Sequence, residues 1–342
     1  MQIQIKEFDI IIIGGGPIGI ACALEAKKHG LNYVILEKGC LVNSIYYYPT
    51  NMTFFSTSEK LELDNIPFIS TNPKPHKAEA LEYYRRITTS NELNIHLFEK
   101  VNSVETLENK LHKVITTKAE YTSKNVIVAT GFYDIPNYLN IPGEDLPKVS
   151  HYYDDPHYYA TQKTIVVGAS NSAVDAALEI YRKGGDVSMV IREKAIGERV
   201  KYWVRPDIIN RIEEGSIKAY FTSEIREITE TDVLINTPEG QIRIENDFVV
   251  LLTGYRPNFD FLKSMGISLS DDANRIPTYN ENTMETNILG IYLAGVICGG
   301  METHKWFIEN SRIHAKMILD DIAKPFQKDG SNEVYSESLG VK

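Results

Sequence analysis

The sequence predicts an α/β protein built from two units of the same kind. In the first, a short apolar strand at residues 9–13 runs into a turn with GxGxxG spacing at residues 14–19, and a helix follows. In the second, a strand at residues 164–167 runs into a GxSxxA turn at residues 168–173, again followed by a helix. This order of strand, small-residue turn and helix is typical of Rossmann-like domains that bind dinucleotides. We therefore expect two Rossmann-like dinucleotide-binding domains.

Each glycine of the GxGxxG turn has a distinct structural role. Gly14 allows the tight turn, Gly16 lets a pyrophosphate approach the backbone, and Gly19 lets the helix pack close to the strand. Pro17 fits the first turn of that helix, where its missing N–H removes no hydrogen bond. The next strand ends in Glu37, whose carboxylate can accept hydrogen bonds from an adenosine ribose. An ordinary glycine-rich turn without a ligand is the alternative.

The bulk composition fits this architecture and excludes other classes. With 342 residues, 43% of them hydrophobic, the chain is long enough for two domains with cores of their own. The formal net charge of −10 argues against nucleic acid as the main partner. No apolar run approaches the roughly 20 residues of a membrane-spanning helix, and the N-terminus has no signal-peptide pattern. We therefore expect a cytoplasmic protein that does not bind membranes.

The number and spacing of the cysteines also fit a cytoplasmic protein. Cys22, Cys40 and Cys298 form neither a CxxC motif nor a spacing typical of zinc sites. So sparse and odd a set, in a chain expected to be cytoplasmic, predicts no structural disulfide. No set of residues resembles a metal site.

A segment rich in aromatic and hydroxyl side chains, residues 38–57, follows Glu37. In a dinucleotide-binding fold this position lies over the reactive ring of the cofactor. Tyr47 and Thr53 are therefore candidates to pack on that ring or to bond its polar edge. A loop that only buries aromatic side chains is an equally good interpretation.

The second turn differs from the first in ways that indicate a different nucleotide. Ser170 replaces the middle glycine and Ala173 the third, which the pattern tolerates. The following strand ends in Arg192 instead of an acid, and Lys194 and Arg199 are close to it in sequence. Basic side chains there suit a ribose 2′-phosphate, because arginine bonds phosphate in a bidentate way. We therefore expect NADP(H) rather than NAD(H), with a solvated basic turn as the alternative.

Two adenine dinucleotides in one chain indicate a flavin and a nicotinamide, since a flavin accepts hydride from a nicotinamide and passes electrons onward. Strands that run into a Thr-Gly pair, at residues 126–131 and 248–254, repeat one pattern and favour two related halves. Gly131 lets backbone approach a ligand because it has no side chain. A further strand ends at Gly295, and a helix is predicted over residues 303–321 with its N-terminus towards the flavin.

Because it contains these motifs, the whole chain resembles the two-dinucleotide flavoprotein reductases of the thioredoxin-reductase-like group. The motifs that carry the resemblance are residues 14–19, 129–131, 168–173, 253–257 and 290–295. The resemblance implies FAD in the first domain, NADPH in the second, insertion of the second domain in the first, and a homodimer.

The domain boundaries implied by that resemblance divide the FAD domain in two. They place its first part at residues 1–140, the NADPH domain at 141–257, the second part of the FAD domain at 258–325 and a loose polar tail at 326–342.

Within the group, the chain is most similar to the YpdA family, whose members are assigned as bacillithiol disulfide reductases. Both ends of the predicted FAD domain match it, at residues 37–39, 44–50, 53–61, 294–297 and 307–310. The resemblance implies an oxidoreductase of redox homeostasis, in which hydride passes from NADPH to FAD and a low-molecular-weight disulfide of the bacillithiol type is reduced.

One position departs from that family. Its well-known members carry a cysteine directly after the proline of Gly-Gly-Gly-Pro, a proposed redox thiol, and this chain has Ile18 there. Isoleucine cannot form a mixed disulfide, so the family reaction proceeds without that thiol, or this chain has another substrate, or another cysteine serves. Cys298, three residues after Gly295, is the candidate catalytic thiol. A small buried residue is the alternative for Cys298.

Other classes share some of these motifs. Ferredoxin– and flavodoxin–NADP reductases have both dinucleotide units and need no CxxC, and Ile18 strengthens that alternative. Flavin monooxygenases are similar around residues 141–144 and 168–175, but their signature requires Phe and Gly where this chain has Asp145 and Pro147. A non-catalytic redox sensor is a further alternative that no sequence feature favours.

The residues predicted to bind the two cofactors come from both units. They are Gly14, Gly16, Pro17, Ile18, Gly19, Glu37, Lys38, Tyr47, Thr53, Val101, Ala129, Thr130, Gly131, Gly168, Ser170, Asn171, Ser172, Ala173, Arg192, Lys194, Arg199, Thr253, Gly254, Gly295, Val296 and Lys305. The expected partner is a small disulfide, and a redox protein as electron acceptor remains open.

Overall fold

Residues 6–329 are described by the structure, a computed structural model, and their contacts form two compact units. The first unit contains residues 6–46, 56–135 and 256–329, and the second contains residues 47–55 and 136–255. The second unit therefore interrupts the first, which confirms the predicted insertion. The division by sequence assigned residues 47–55 to the first domain, whereas their contacts lie in the second unit.

Helices and strands alternate along the chain. As far as residue 136 they are β1 (Lys6–Ile13), α1 (Pro17–Lys28), β2 (Tyr33–Leu36), α2 (Asn43–Tyr46), α3 (Ser58–Leu61), α4 (Lys77–Ser90), β3 (Ile95–His96), β4 (Val101–Thr106), β5 (His112–Thr116), β6 (Glu120–Val128) and β7 (Ile135–Pro136). From there to residue 256 they are β8 (Val149–Ser150), β9 (Lys163–Val167), α5 (Asn171–Arg182), β10 (Asp186–Val190), α6 (Arg205–Glu213), β11 (Lys218–Tyr220), β12 (Glu224–Ile228), β13 (Asp232–Thr237), β14 (Gly240–Glu245), β15 (Phe248–Leu251) and β16 (Tyr255–Arg256). The remainder are α7 (Phe259–Ser264), β17 (Ile291–Leu293), α8 (Ile308–Ser311) and α9 (Ile313–Asp329), and short 3-10 helices lie at Pro156–Tyr159 and Val296–Gly299.

The sheet of the first unit brings four predicted motifs to one edge. Its parallel strands run in the order β3-β2-β1-β6-β17, and β5 and β4 continue from β6 in antiparallel fashion. Ile13 at the end of β1 is in register with Leu36 and Val128, and Val128 is in register with Leu293. The turns that follow these residues therefore share the carboxyl edge of the sheet, where α/β folds bind their ligands.

The second unit repeats this arrangement on a smaller scale. Its parallel sheet has the order β11-β10-β9-β15-β8, and Val167 at the end of β9 is in register with Val190 and Leu251. One face of the sheet packs its apolar residues with those of α5, and the other packs with the antiparallel sheet β12-β13-β14. Both units are thus Rossmann-like, and the predicted fold class is confirmed.

The C-terminal helix differs from its prediction. A single helix was expected over residues 303–321, but α8 begins at Ile308 and α9 runs from Ile313 to Asp329. Asn310 explains the late start, because its side-chain oxygen accepts the Phe307 N–H at 2.6 Å and its side-chain nitrogen donates to the Lys305 carbonyl at 2.9 Å. An N3 side chain that accepts the N–H of the N-cap residue marks the start of a helix, so α8 begins directly after Phe307.

The predicted tail is shorter than expected at its beginning, because α9 includes residues 326–329. The rest of the predicted tail, residues 330–342, lies outside the described residues. Within residues 6–329, no helix has both the length and the apolar character that crossing a bilayer requires.

Candidate dinucleotide sites

The first glycine turn has the close contacts that its pattern predicts. Gly14 has φ +111°, and a Cβ atom added there would lie 2.5 Å from the Ala129 carbonyl oxygen. A Cβ added at Gly19 would lie only 1.9 Å from the Gly14 carbonyl oxygen. At Gly16, by contrast, an added Cβ would meet no described atom within 4 Å. The turn is therefore tightly packed on its protein side and open where a pyrophosphate would lie.

The N-terminus of α1 is available to an anion. Gly16 is its N-cap and provides no side-chain cap, Pro17 occupies the first turn, and that turn contains no acidic residue. Backbone N–H groups that no cap satisfies, together with the positive end of the helix dipole, favour a phosphate at this point.

Glu37 is held next to this turn by backbone groups. Its carboxylate accepts the Gly15 N–H at 2.7 Å and the Gly39 N–H at 2.9 Å, and only 6% of the residue is exposed. Burial raises the pKa of the Glu37 carboxyl above its ordinary value, and the two N–H groups oppose that rise. A carboxylate has about four acceptor positions, so it can still accept ribose hydroxyls.

The Ala129–Gly131 turn follows β6 on the neighbouring strand. The Ala129 N–H donates to the Ile13 carbonyl at 2.8 Å, which ties this turn to the end of β1. The Thr130 hydroxyl oxygen is buried and has no hydrogen-bond partner within residues 6–329. Gly131 has φ +72°, and an added Cβ would meet no described atom within 4 Å. A buried unpaired hydroxyl beside open space is the feature that a bound polar group would satisfy.

The loop after β17 completes this edge. Gly295 has φ +86°, and a Cβ added there would lie 3.2 Å from Cγ1 of Ile18 in the first turn of α1. The Gly295 N–H donates to Nδ1 of His314 at 3.1 Å, and the half-buried Val296 begins the 3-10 helix that follows. Position 18 is therefore occupied by an aliphatic side chain against Gly295.

Cys298 has an environment that disfavours the predicted redox role. It is fully buried, and burial raises the pKa of its thiol well above the ordinary value. Its Sγ lies 3.9 Å from Nδ1 of His314. A reactive cysteine needs an accessible thiolate, and this thiol is protonated and enclosed. The alternative interpretation of Cys298, a small buried residue, agrees with these observations.

Three other residues predicted for the FAD site have different environments. Lys38 forms an ion pair with Asp134 at 2.6 Å, and Val101 is buried at the start of β4. Lys305 is exposed, with its ammonium group 5.7 Å from the Trp306 ring.

Tyr47 and Thr53 belong to the segment that packs within the second unit. Tyr47 is 57% exposed and Thr53 is half-buried. Between them, Thr50 donates its N–H to the Asp154 carbonyl at 2.9 Å. Their predicted contact with a flavin ring stays a prediction.

The second glycine turn is built less tightly. Gly168 has φ +123°, and a Cβ added there would lie 2.7 Å from the Leu252 carbonyl oxygen. The same added atom would be 3.2 Å from Cβ of Ala173, so the methyl group at the third position of this turn also limits the space at Gly168. Ser170 is the N-cap of α5 without a side-chain cap, and Ser172 is exposed in its first turn. The N-terminus of α5 is thus also open to a phosphate.

Asn171 holds a neighbouring loop. Its side-chain oxygen accepts the Lys201 N–H at 2.7 Å, and its side-chain nitrogen donates to the Arg199 carbonyl at 3.3 Å. Lys201 in turn forms a largely buried ion pair with Asp175 of α5 at 2.7 Å. The Asn171 side chain therefore orients the Arg199 loop, and its contribution to a pyrophosphate site comes from the backbone.

The predicted 2′-phosphate cluster is exposed. Arg192 is the first residue after the buried Ile191, its side chain is 78% exposed, and its nearest ion-pair partner is Glu193 at 3.4 Å. Lys194 and Arg199 are exposed on the same loop. Long cationic side chains in this setting can move to meet a phosphate at little cost.

The Thr253–Gly254 turn has a partner that the sequence did not indicate. The Thr253 hydroxyl donates to the Asn137 carbonyl at 2.6 Å, and the Asn137 N–H donates to the Gly254 carbonyl at 2.9 Å. Gly254 has φ +88°. Asn137 was missed, as was His314 in the first unit, because each acts on a residue that only the tertiary fold brings near it.

Both turns therefore fit the nucleotides predicted for them. In the first unit the fit consists of open space at Gly16 and Gly131, an unpaired hydroxyl at Thr130 and a buried carboxylate at Glu37. In the second it consists of an uncapped helix and exposed cations. Among the residues that the structure describes, no group of three or more His, Cys, Asp or Glu side chains is placed to hold a metal ion.

Comparison with known proteins identifies the family. Residues 11–295 match the family described as pyridine nucleotide-disulphide oxidoreductase. The chain is 42% identical over 315 residues to the bacilliredoxin reductase Bdr of Bacillus subtilis (strain 168). This alignment covers 92% of this chain and 97% of that protein.

Solved structures agree in fold over nearly the whole chain. The bacillithiol disulfide reductase Bdr (YpdA) from Staphylococcus aureus is similar with a TM-score of 0.91 and 38% identity, covering 94% of this chain and 99% of that one. The protein of the same name from Bacillus cereus is similar with a TM-score of 0.91 and 40% identity, covering 94% of this chain and 100% of that one.

Proposed function

Because this chain belongs to the pyridine nucleotide-disulphide oxidoreductase family and, within it, to the YpdA (Bdr) family, we propose that it reduces bacillithiol disulfide with electrons from NADPH. The observation that carries the proposal is similarity at about 40% identity along both units, not in the nucleotide motifs alone. In the balanced reaction, one NADPH and one proton convert one disulfide into two thiols and NADP⁺.

FAD and NADPH are the cofactors of this family, and together they supply hydride transfer from nicotinamide to flavin and electron-pair transfer to the acceptor. The first unit would hold FAD through the turn at Gly14, Gly16 and Gly19, with Glu37 on the ribose. Thr130 would donate or accept the hydrogen bond that its buried hydroxyl lacks within the described residues.

The second unit would hold NADPH. The N-terminus of α5 would take the pyrophosphate, with the backbone of residues 168–173 around it. Arg192 and Arg199 would take the 2′-phosphate, and Asn171 would orient the loop that carries Arg199. Since NADPH must enter and its product NADP⁺ must leave in each turnover, exposed cations suit this nucleotide better than a buried site.

For the acceptor step, we place neither position 18 nor Cys298 at the reaction. Ile18 cannot form a mixed disulfide, and Cys298 is buried with a raised thiol pKa. The disulfide would therefore receive its electrons without a covalent link to either residue.

A protein acceptor is the second candidate. The Bacillus subtilis relative is a bacilliredoxin reductase, which is named for a redox protein and not for a free disulfide. The same two nucleotide sites would serve either acceptor.

The deciding experiment is NADPH oxidation by the purified yellow holoenzyme without oxygen. Bacillithiol disulfide and oxidised bacilliredoxin are added separately, and oxidised glutathione serves as the control disulfide. Acceleration by bacillithiol disulfide alone supports the proposal, and acceleration by bacilliredoxin alone supports the second candidate. Rapid reduction of ferredoxin or flavodoxin, with no response to either thiol acceptor, would contradict both.

For assembly and location, we propose a homodimer in the cytoplasm. All three cysteines are unpaired, which suits a reducing compartment. Light scattering of the eluted holoenzyme gives the mass, and a mass near the chain's 38.7 kDa would contradict the dimer.

A further inference from the structure

We propose that His314 is a positioning residue of the FAD site: its Nδ1 atom accepts the Gly295 N–H and so fixes the loop after β17 in the conformation that binds FAD. The inference rests on the assignment of FAD to the first unit and not on the identity of the disulfide. Nothing in the sequence motifs points to this histidine.

The contact joins two elements that meet only in the folded unit. His314 is the second residue of α9 and is 1% exposed. Its Nδ1 lies 3.1 Å from the Gly295 nitrogen, which is a buried hydrogen bond. Gly295 is the N-cap of the 3-10 helix Val296–Gly299, and its own carbonyl accepts the Cys298 N–H at 3.2 Å. His314 therefore fixes the peptide at which the chain turns from β17 into this helix.

The histidine is held as an acceptor. Because Nδ1 accepts a backbone N–H, the ring proton lies on Nε2. Burial lowers the pKa of His314 to about 4, so the ring is neutral at the pH of an ordinary assay. The Trp306 ring packs edge-on against the His314 ring, with 4.6 Å between the ring centroids, and Sγ of Cys298 lies 3.9 Å from Nδ1. These neighbours enclose the ring and limit its rotation.

Gly295 is fixed from its other side as well. Ile18, in the first turn of α1, comes within 3.2 Å of the position that a Cβ on Gly295 would take. The first turn of α1 is the turn offered to the FAD pyrophosphate. Gly295 thus lies between that turn and His314, and its position depends on both. An N–H that loses its acceptor here is buried and unpaired, which favours opening of the loop.

Three substitutions separate this role from simple filling of the core. Asparagine places an amide oxygen near the position of Nδ1, whereas glutamine carries the same amide one methylene further out. His314→Asn should therefore keep the acceptor, and His314→Gln and His314→Leu should lose it. The measurement is the rate of FAD release from the holoenzyme, followed by flavin fluorescence after dilution, beside protein unfolding followed by circular dichroism at 222 nm.

We expect His314→Gln and His314→Leu to release FAD about tenfold faster or more, and at a temperature below protein unfolding. His314→Asn should release FAD within about threefold of the wild-type rate. Equal release rates for the Asn and Gln variants would overturn the proposal, because the position of the acceptor would then not matter. If the Leu variant does not fold, the Asn and Gln pair still decides the question. Since no disulfide is present, failure of the proposed reaction leaves this result unaffected.

Discussion

The two nucleotide-binding turns of this protein have the same order of strand, turn and helix, but they differ in the side chain that the third position of the turn can hold. In the first, a Cβ at the third glycine would lie 1.9 Å from a carbonyl oxygen, and the strand beyond ends in a carboxylate that is 6% exposed. In the second, a fully buried alanine occupies the third position, and the strand beyond leads to an arginine whose side chain is 78% exposed. The difference matches a resident cofactor in the first unit and an exchanging co-substrate in the second.

The largest effect is expected at the third position of the first turn. Gly19→Ala puts a methyl group against the Gly14 carbonyl, which is backbone and leaves little room to relax. We expect the free energy of unfolding to fall by at least the upper end of the ~1–3 kcal/mol that overpacking typically costs. The purified variant should contain little or no bound FAD. The ratio of absorbance at 450 nm to that at 280 nm measures it.

The matched control is Ala173→Gly in the second turn. It should retain NADPH binding and lower stability by about 1 kcal/mol, because glycine is a poor helix former. If Gly19→Ala kept its FAD, or if Ala173→Gly lost its NADPH, the contrast between the turns would be wrong.

The next effect concerns the buried acid. Glu37→Gln keeps the shape but turns an NH₂ group towards one of the two N–H donors, Gly15 or Gly39. Losing a buried bond to a charged group costs about 1.5–3 kcal/mol, so FAD affinity should fall by roughly 10- to 100-fold. Titration of the released flavin back onto the protein measures this, and an unchanged affinity would remove Glu37 from the site.

A smaller and more selective effect is expected in the second unit. Arg192→Ala should raise KM for NADPH roughly fivefold, since the side chain is exposed and contributes one charged contact. KM for NADH should hardly change, because NADH lacks the 2′-phosphate. Steady-state kinetics with the two nucleotides give both values. An equal change for both would remove the 2′-phosphate assignment.

The smallest effect is expected for Cys298→Ala. The thiol is buried and protonated, so disulfide turnover should stay within about twofold of wild type once rates are normalised to bound FAD. The rate with bacillithiol disulfide measures it. Abolished turnover at full FAD content would restore the redox role that the sequence suggested.

The local parts of both sites were predictable from sequence. Gly14, Gly16, Gly19 and Glu37 are set by a strand, a turn and a helix that are contiguous, so spacing alone indicated their roles. The fold class and the insertion followed from the repetition of that pattern. The late start of the last helix was not predictable from periodicity, because it is set by the Asn310 side chain, which caps the Phe307 N–H.

Tertiary contacts account for what the sequence did not indicate. His314 and Gly295 are separated by 19 residues, and a histidine at a helix start is usually a surface residue. Residues 47–55 were assigned to the first domain by sequence, yet Thr50 bonds Asp154 more than a hundred residues away and the segment belongs to the second unit. No local pattern reports a partner at such a distance.

The pairing of β17 with β6 has a consequence for synthesis on the ribosome. All residues of the second unit have been made by residue 255, so that unit can close while the remainder of the chain is still being translated. The sheet of the first unit still lacks β17 at that stage, because Leu293 must emerge before it can join Val128. The unit that begins the chain is therefore the last to be completed, and a nascent chain stalled after residue 255 has emerged from the ribosome, but before Leu293 has, would carry one finished domain and one with an open sheet edge.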